Sequence, residues 1–168
     1  MFLPIPAIAI TYLRRHLMAY ARRHPASRLI GGKDDTYLAR WYLIPHNPVC
    51  NVYLHHFRRS DDDRALHDHP WPWCSILLKG TYIEATQGPG GHDDLLFRRR
   101  FSGGARLRLP TTAHRVVLDG ERACWTLFLT GPRVRHWGFL CRKGWVPWEV
   151  FTDPATNGDT VGRGCGEP

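Results

Sequence analysis

From Tyr37 onward the chain is a succession of short apolar runs separated by turn-forming residues. Gly, Pro, Asn and Asp, the residues that tight turns require, recur between the runs in PHNP, QGPGGHDD, SGG, DGE and GPR. Eight runs can be recognised, at 37–44, 50–57, 73–86, 95–101, 105–109, 114–118, 122–130 and 134–140. Short strands at this spacing predict an all-β sandwich or barrel. A barrel also removes the exposed edges that so many strands would otherwise present.

The part of the chain before Tyr37 has a different pattern. Residues 7–24 predict one helix, because Ile10 and Leu13 fall on a common face while most of the arginines lie elsewhere. We expect this helix to pack on the outside of the barrel. A length of 168 residues suits one domain. The expected division is an N-terminal helical extension (1–36), a β-barrel (37–151) and an irregular C-terminal tail (152–168).

The chain is basic, with a formal charge of +8 and a pI near 9.7. Its arginines are spread along the sequence, and no recognition helix or zinc-finger spacing accompanies them. We therefore expect a solvated basic surface and no specific binding of nucleic acid. The apolar N-terminus is interrupted by Pro4 and Pro6 and is too short to span a bilayer.

The five cysteines are odd in number and form no C-x-x-C motif. This argues against a disulfide framework and favours reduced, structural thiols. The corresponding prediction is a cytoplasmic protein.

The strongest chemical signal is the segment ALHDHPWPW at 65–73. His67 and His69 are two residues apart, so on an extended strand both imidazoles point to one side and can reach one ion. Such a pair is a weak signal alone. It gains weight because Gly80 follows, and because the later segment GARLRLPTTAH brings Gly104 and Pro110 before His114.

These two segments resemble the two motifs of the metal-binding cupins. The first motif is Gly, five residues, His-x-His, three or four residues, Glu, six residues, Gly. The second is Gly, five residues, Pro-x-Gly, two residues, His, three residues, Asn. His67, His69 and Gly80 match the first, and Gly104, Pro110 and His114 match the second, with His114 one residue closer to the proline than usual. The resemblance covers roughly residues 37–140 and implies a cupin jelly-roll β-barrel.

Three positions depart from the cupin pattern. Asp61 stands at the opening Gly, Trp73 or Cys74 at the Glu, and Leu118 at the closing Asn. The resemblance implies His67, His69 and His114 as ligands of one divalent transition metal. The missing Glu makes this a neutral three-His site, which suits iron(II) first and also zinc, nickel, manganese or copper. The thiol dioxygenase cupins also lack the Glu, and cysteine dioxygenase has a Cys there, as Cys74 is here.

Four further residues are candidates for binding a substrate. Arg106 and Arg108, on the strand leading to Pro110, can grip a carboxylate if one of them faces inward. His55 and His56 are adjacent, so alternation turns only one of them into the barrel, and we include His56 among the candidates. Cys74 is the fourth.

Several carboxylates lie close to the histidines in the sequence. The run Asp61-Asp62-Asp63 is either a solvated turn or the source of a carboxylate that orients an imidazole. Asp68 should point away from the metal by alternation. Glu84 is a possible replacement for the missing carboxylate.

Two functions remain open at this point. One is a metal-dependent enzyme for a small anionic molecule, possible reactions being dioxygenase-like oxidation with non-haem iron, or Lewis-acid chemistry with zinc or nickel. The alternative is a non-catalytic barrel that binds a small molecule and has an empty or structural metal site. Because cupins commonly form dimers, the resemblance also implies a homodimer.

Overall fold

The computed structural model describes residues 1–61 and 65–166. Within them it contains a long N-terminal helix, α1 (Ala7–Arg23), and a short one near the C-terminus, α2 (Trp148–Phe151). The strands found there, in chain order, are β1 (Phe2–Pro4), β2 (Arg28–Ile30), β3 (Leu38–Tyr42), β4 (Asn51–Phe57), β5 (Leu66–His67), β6 (Trp73–Lys79), β7 (Thr81–Gly88), β8 (Gly91–Phe101), β9 (Gly104–Arg108), β10 (His114–Leu118), β11 (Cys124–Thr130), β12 (Gly138–Cys141) and β13 (Gly144–Pro147).

The strands form two antiparallel sheets. The large sheet has the order β1-β9-β6-β11-β4-β3-β2, and the small sheet has the order β13-β12-β5-β10-β7-β8. Many neighbours in a sheet are far apart in the chain: β6, for example, pairs with both β9 and β11. Two facing antiparallel sheets with such interleaved connections are the architecture of a jelly roll. The predicted all-β jelly-roll barrel is confirmed.

Side-chain alternation along β4 builds a core on each face of the large sheet. His55 and Phe57 point between the two sheets and line the interior. Leu54 is fully buried on the other face, in a cluster that includes Leu13 and Leu17 of α1. The helix therefore packs on the outside of the barrel, as predicted. Among the described residues no helix is long and apolar enough to cross a bilayer.

The predicted run 73–86 is two strands, because the chain reverses at Gly80. This glycine has a φ of +87°, a conformation that other residues rarely adopt. A Cβ added there would lie 2.9 Å from Cβ of Cys124. Both the backbone angle and the close neighbour therefore require glycine, and the reversal moves the chain from the large sheet to the small one.

The cysteine prediction is corrected at one pair. Cys141, the last residue of β12, forms a disulfide with Cys165 in the C-terminal tail. The tail folds back along the barrel, where Val161 bridges to Thr152 and the carbonyl of Asp159 accepts a hydrogen bond from the backbone N–H of Gly31. Sequence spacing does not reveal this return, which brings together two thiols that are 24 residues apart. Cys50, Cys74 and Cys124 are free.

Candidate metal centre

Two of the predicted ligands lie opposite each other on neighbouring strands. His67 ends β5, and β5 pairs with β10 through His67 and His114. Directly opposed residues of an antiparallel pair point to the same face of the sheet. The two imidazoles accordingly share the inner face of the small sheet, with their ring centroids 5.0 Å apart.

His69 completes the cluster from the segment that follows β5. Its backbone N–H donates to the carbonyl of Pro110 at 3.1 Å, which ties this segment to the chain just before β10. Its ring centroid lies 5.3 Å from that of His67 and 5.2 Å from that of His114. The ligand nitrogens of the three side chains all lie within 4.8 Å of one another. The fold thus brings the three predicted histidines together.

The spacing within the cluster fits a metal ion. Nε2 of His69 and Nε2 of His114 are 3.0 Å apart. Two imidazole nitrogens bound to one ion at about 2.1 Å and at a right angle would be separated by about 3 Å. Without an ion, one of the two nitrogens must carry a proton, because two lone pairs at this distance repel. Three imidazoles are a suitable donor set for a divalent transition metal.

Burial keeps two of these imidazoles neutral. It lowers the pKa of His67 to about 3, with a smaller effect in the same direction from His114. Burial also lowers the pKa of His69 well below its usual range, again assisted by the neighbouring histidines. A neutral imidazole has the free lone pair that a metal requires. Both side chains are therefore ready to bind an ion at neutral pH.

Glu84 approaches His114 from the side away from the other two histidines. It lies on β7 and is almost fully buried. Its Oε1 atom is 3.4 Å from Nδ1 of His114, and neither atom has a hydrogen-bond partner in the part of the chain that the structure describes. We assign the imidazole proton to Nδ1, facing the carboxylate, which leaves Nε2 free for a metal. Glu84 therefore faces the candidate ligand His114 and is not part of the cluster itself.

The charge of Glu84 is held by two arginines. Arg100 donates to Oε2 through Nε and Nη2, and Arg108 donates to the same oxygen at 3.2 Å. Burial by itself raises the pKa of this carboxyl. The contact with His114 and the two guanidinium groups outweigh burial, so the pKa of Glu84 lies well below its usual range. The carboxyl is ionised at neutral pH.

The acidic residues near the first two histidines have different roles. Oδ2 of Asp61 accepts a hydrogen bond from the backbone N–H of Val116 and lies 3.9 Å from Nδ1 of His67. Asp62 and Asp63 lie outside the described residues. Asp68 points away from the cluster, as predicted, and accepts hydrogen bonds from Arg135, from the indole N–H of Trp145 and from the backbone N–H of Gly138.

The three histidines line a cavity of about 210 Å³ between the two sheets. Aromatic rings form much of its wall: Trp73 stacks on His114 at 4.7 Å, and Phe128 stacks on Trp73 at 5.3 Å. The volume is below the range of about 300 to 1,000 Å³ that is typical for drug-sized ligands. The cavity therefore suits a small molecule.

Two arginines that line the cavity, Arg28 and Arg40, were not predicted from the sequence. Arg40 on β3 lies opposite His55 on β4, and both side chains line the cavity. Nε of Arg40 donates to Nε2 of His55 at 2.9 Å. Burial, followed by the charge of Arg40, lowers the pKa of His55 well below its usual range. The only available signal was that Arg40 falls within a predicted strand, and nothing in the sequence marked its orientation.

The two arginines predicted to grip a substrate lie opposite cavity-lining residues of β6, Arg108 opposite Trp73 and Arg106 opposite Ser75, but they do not line the cavity, which corrects that prediction. Strand β9 is next to the edge strand β1 of the large sheet, and neither Arg106 nor Arg108 lines the cavity. The guanidinium carbon of Arg106 is 4.8 Å from the ring centroid of Phe2. Arg108 is paired instead with Glu84, the carboxylate that faces His114.

The placement of His56 and Cys74 corrects two further predictions. His56 lies on the outer face of the large sheet and stacks on Trp125 at 4.1 Å, so His55 is the inward-facing member of the pair. On β6 the neighbours of Cys74, Trp73 and Ser75, line the cavity, and alternation turns the thiol of Cys74 away. Neither side chain is placed to contact a molecule in the cavity.

The position of His56 predicts a dependence of stability on pH. Burial, followed by the charges of Arg58 and Lys79, lowers the pKa of His56 to about 4. Between that value and the unfolded pKa of about 6.5, the unfolded chain binds a proton that the folded chain does not. Acid therefore favours unfolding. We expect the free energy of unfolding to fall from pH 6.5 to pH 4, and to fall less in His56→Gln.

Urea unfolding at several pH values measures this effect. Exposed His136 provides the control, since His136→Gln should follow the wild-type pH profile. A His56→Gln profile parallel to that of the wild type would contradict the assignment to His56.

Comparisons with known proteins address the fold. No protein-family model matches the sequence, and no curated protein was found to match it. The structure is similar to the crystal structure of DMSP lyase DddQ from Ruegeria pomeroyi DSS-3, with a TM-score of 0.55, 16% identity, and coverage of 76% of this chain and 66% of that one. It is also similar to Fe(II)-HppE with the alternative substrate (S)-1-HPP, with a TM-score of 0.50, 12% identity, and coverage of 63% and 56%.

A third similar structure is an uncharacterised conserved protein with a double-stranded β-helix domain from Klebsiella pneumoniae, with a TM-score of 0.49, 12% identity, and coverage of 66% of this chain and 90% of that one. The chain spans less than two thirds of the length of DddQ and just over half of the length of HppE. These likenesses concern the fold. The sheet topology and the neighbours together define a cupin fold, and His67, His69 and His114 form a three-His cluster inside it.

Proposed function

We propose that this chain is a metal-dependent enzyme that acts on a small anionic molecule. His67, His69 and His114 would hold one divalent ion. The observation that carries the proposal is the convergence of these three imidazoles on a cavity that also contains the guanidinium group of Arg40. The cavity thereby combines a metal site with a positive group for an anion.

For the metal we propose iron(II), and for the reaction a dioxygenase-like oxidation. Three neutral ligands leave the ion its full double charge and leave coordination positions open. An iron(II) ion held there would supply positions for dioxygen and substrate side by side; zinc or nickel would supply Lewis-acid chemistry instead.

The residues of the chain prepare the site in three ways. Burial keeps the imidazoles of His67 and His69 neutral. Oε1 of Glu84, 3.4 Å from Nδ1 of His114, would favour the imidazole proton on Nδ1. The stacked rings of Trp73 and Phe128 give this part of the cavity an apolar wall, and an apolar surrounding strengthens electrostatic interactions.

A second function is favoured by one specific contact. Because Nε2 of His69 and Nε2 of His114 lie at 3.0 Å, a shared proton can satisfy both nitrogens without any metal. The alternative proposal is therefore a non-catalytic cupin that binds a small molecule. For assembly and location, a homodimer and a cytoplasmic protein stay predictions.

Elemental analysis of full-length protein, purified without added metal, tests the enzyme proposal. We expect about one equivalent of a transition metal, retained or restored on reconstitution. Oxygen consumption with small thiols and diketones then tests the reaction class. An occupancy below about one tenth after reconstitution would leave the non-catalytic alternative.

A further inference from the structure

The environment of Arg40 shows a positive group without a counter-charge. Its Nε donates a hydrogen bond to Nε2 of His55, and its guanidinium carbon lies 4.9 Å from the ring centroid of Tyr53. One edge and one face of the group are thus occupied. Among the described residues no carboxylate lies within 4.0 Å of it, and no hydrogen bond is formed by its two Nη atoms.

A second arginine in the same cavity, Arg28, has hydrogen-bond partners and a counter-charge. Nε of Arg28 donates to the carboxylate of Asp159 at 2.8 Å, and its Nη2 donates to the carbonyl of Asn157 at 2.8 Å. The tail thus neutralises Arg28 and leaves Arg40 open. An arginine keeps its charge in a protein, and a desolvated charge without a partner is costly. An anion entering the cavity would relieve that cost.

The free part of Arg40 defines the shape of the anion. Two Nη atoms form a planar fork that matches the two oxygens of a carboxylate. His55 fixes the fork, because it accepts from Nε and is itself held by ring contacts with Tyr53 at 5.8 Å and Phe128 at 5.2 Å. Because Asp159 already neutralises Arg28, the charge left to be matched among the described residues of the wall is that of Arg40, which favours one negative charge on the ligand.

The remaining wall defines the body of the ligand. Phe128 contacts both His55 of the Arg40 pair and His69 of the metal centre, at centroid distances of 5.2 and 5.6 Å. A molecule anchored on Arg40 therefore reaches the three histidines across aromatic surface. The volume of about 210 Å³ limits that body to a few carbon atoms or one ring.

We propose that the cavity binds a small monocarboxylate with an apolar or aromatic body. The carboxylate accepts hydrogen bonds from the two Nη atoms of Arg40, and the body packs against Phe128 and Trp73 beside the three-His centre. This inference rests on the proposed function, since it names the class of molecule on which the centre acts. His55 is a positioning residue that acts through Arg40.

Calorimetric titration with benzoate, phenylacetate and hexanoate, each paired with its neutral amide, tests the proposal. In the wild-type chain at least one acid should bind one to one and about tenfold or more tighter than its amide, as expected for a charge-assisted pair. Arg40→Met should weaken the acid about tenfold and leave the amide unchanged, and Arg40→Lys should fall between them. Exposed Arg98, replaced by Met, is the matched control and should change neither affinity.

The titrations are run on metal-loaded and on chelator-treated protein, so that binding to the metal and binding to Arg40 are separated. If metal is absent but the acid preference depends on Arg40, the carboxylate site stands and the enzyme proposal falls. If one equivalent of metal binds but no acid exceeds its amide, the carboxylate site is overturned and the metal centre stands. The comparison of acid and amide in the wild type needs no variant. It therefore tests the carboxylate site even if Arg40→Met fails to fold.

Discussion

Replacing His114 by alanine should reduce metal occupancy from about one equivalent to less than about one tenth, because the two remaining imidazoles do not hold an ion as three do. His114 is central to the cluster: it stands opposite His67 on the paired strand and has Nε2 at 3.0 Å from Nε2 of His69. Elemental analysis after dialysis measures the loss.

The control for this variant is His92→Ala. His92 lies on the edge strand β8, two strands from β10 in the sheet order, and its Nδ1 contacts the neighbouring Asp93 at 3.1 Å. It should retain full occupancy. Circular dichroism must show that His114→Ala is folded before its metal content is interpreted. Full occupancy in a folded His114→Ala would remove this histidine from the proposed ligand set.

Replacing Glu84 by glutamine should destabilise the fold by about 3 kcal/mol, the lower end of the range for breaking a buried ion pair. The side chain is fully buried and accepts from both Arg100 and Arg108, which are themselves only 13% and 19% exposed. The neutral amide leaves two largely buried guanidinium groups without their counter-charge. For a domain of this size the melting temperature should drop by roughly 6 to 12 °C.

The same variant should also weaken the metal site. Glu84 faces Nδ1 of His114, and loss of such an orienting carboxylate typically costs about 10- to 100-fold in metal affinity. Asp119→Asn is the matched control: Asp119, in the turn after β10, pairs with the largely exposed Arg99 at 3.3 Å and accepts a hydrogen bond from the hydroxyl of Thr81 at 3.3 Å. A pair this open to solvent should change stability by about 1 kcal/mol or less. Equal stability of Glu84→Gln and the wild type would show that the buried pair contributes no net free energy.

Lowering the pH should show how much the charge of Glu84 contributes to the free energy of unfolding. Because its folded pKa lies well below its usual range, the stability that it contributes is fully present above the unfolded value of about 4.3 and is lost as the pH falls below it. This loss should be absent in Glu84→Gln, so the two chains should converge in stability at low pH.

Most of the strands could be predicted from the sequence because a strand is marked by the local alternation of apolar and polar side chains. The predicted runs at 50–57, 105–109 and 114–118 agree with β4, β9 and β10 to within a residue or so. Each run has apolar side chains that alternate or are buried on both faces, and each ends in turn-forming residues. The predicted run at 134–140 was too long, since β12 begins only at Gly138.

Four strands escaped prediction because they carry no such pattern. β1, β2, β5 and β13 have between two and four residues each, too few to show a period. β5 holds one of the proposed metal ligands, and it is a strand only because β10 and β12 lie on either side of it. Pairing partners that are distant in the chain decide whether such a segment is extended.

The sequence by itself indicated an all-β sandwich or barrel, because strand periodicity is a local property, and its resemblance to the cupin motifs implied the jelly roll and the set His67, His69 and His114. Only the tertiary structure decided which charges face the cavity. Arg40 enters it, Arg108 turns to Glu84, and Cys141 meets Cys165, each through contacts between segments far apart in sequence. The reason is physical: alternation fixes that successive side chains point to opposite faces, but the packing of the two sheets decides which face becomes the interior.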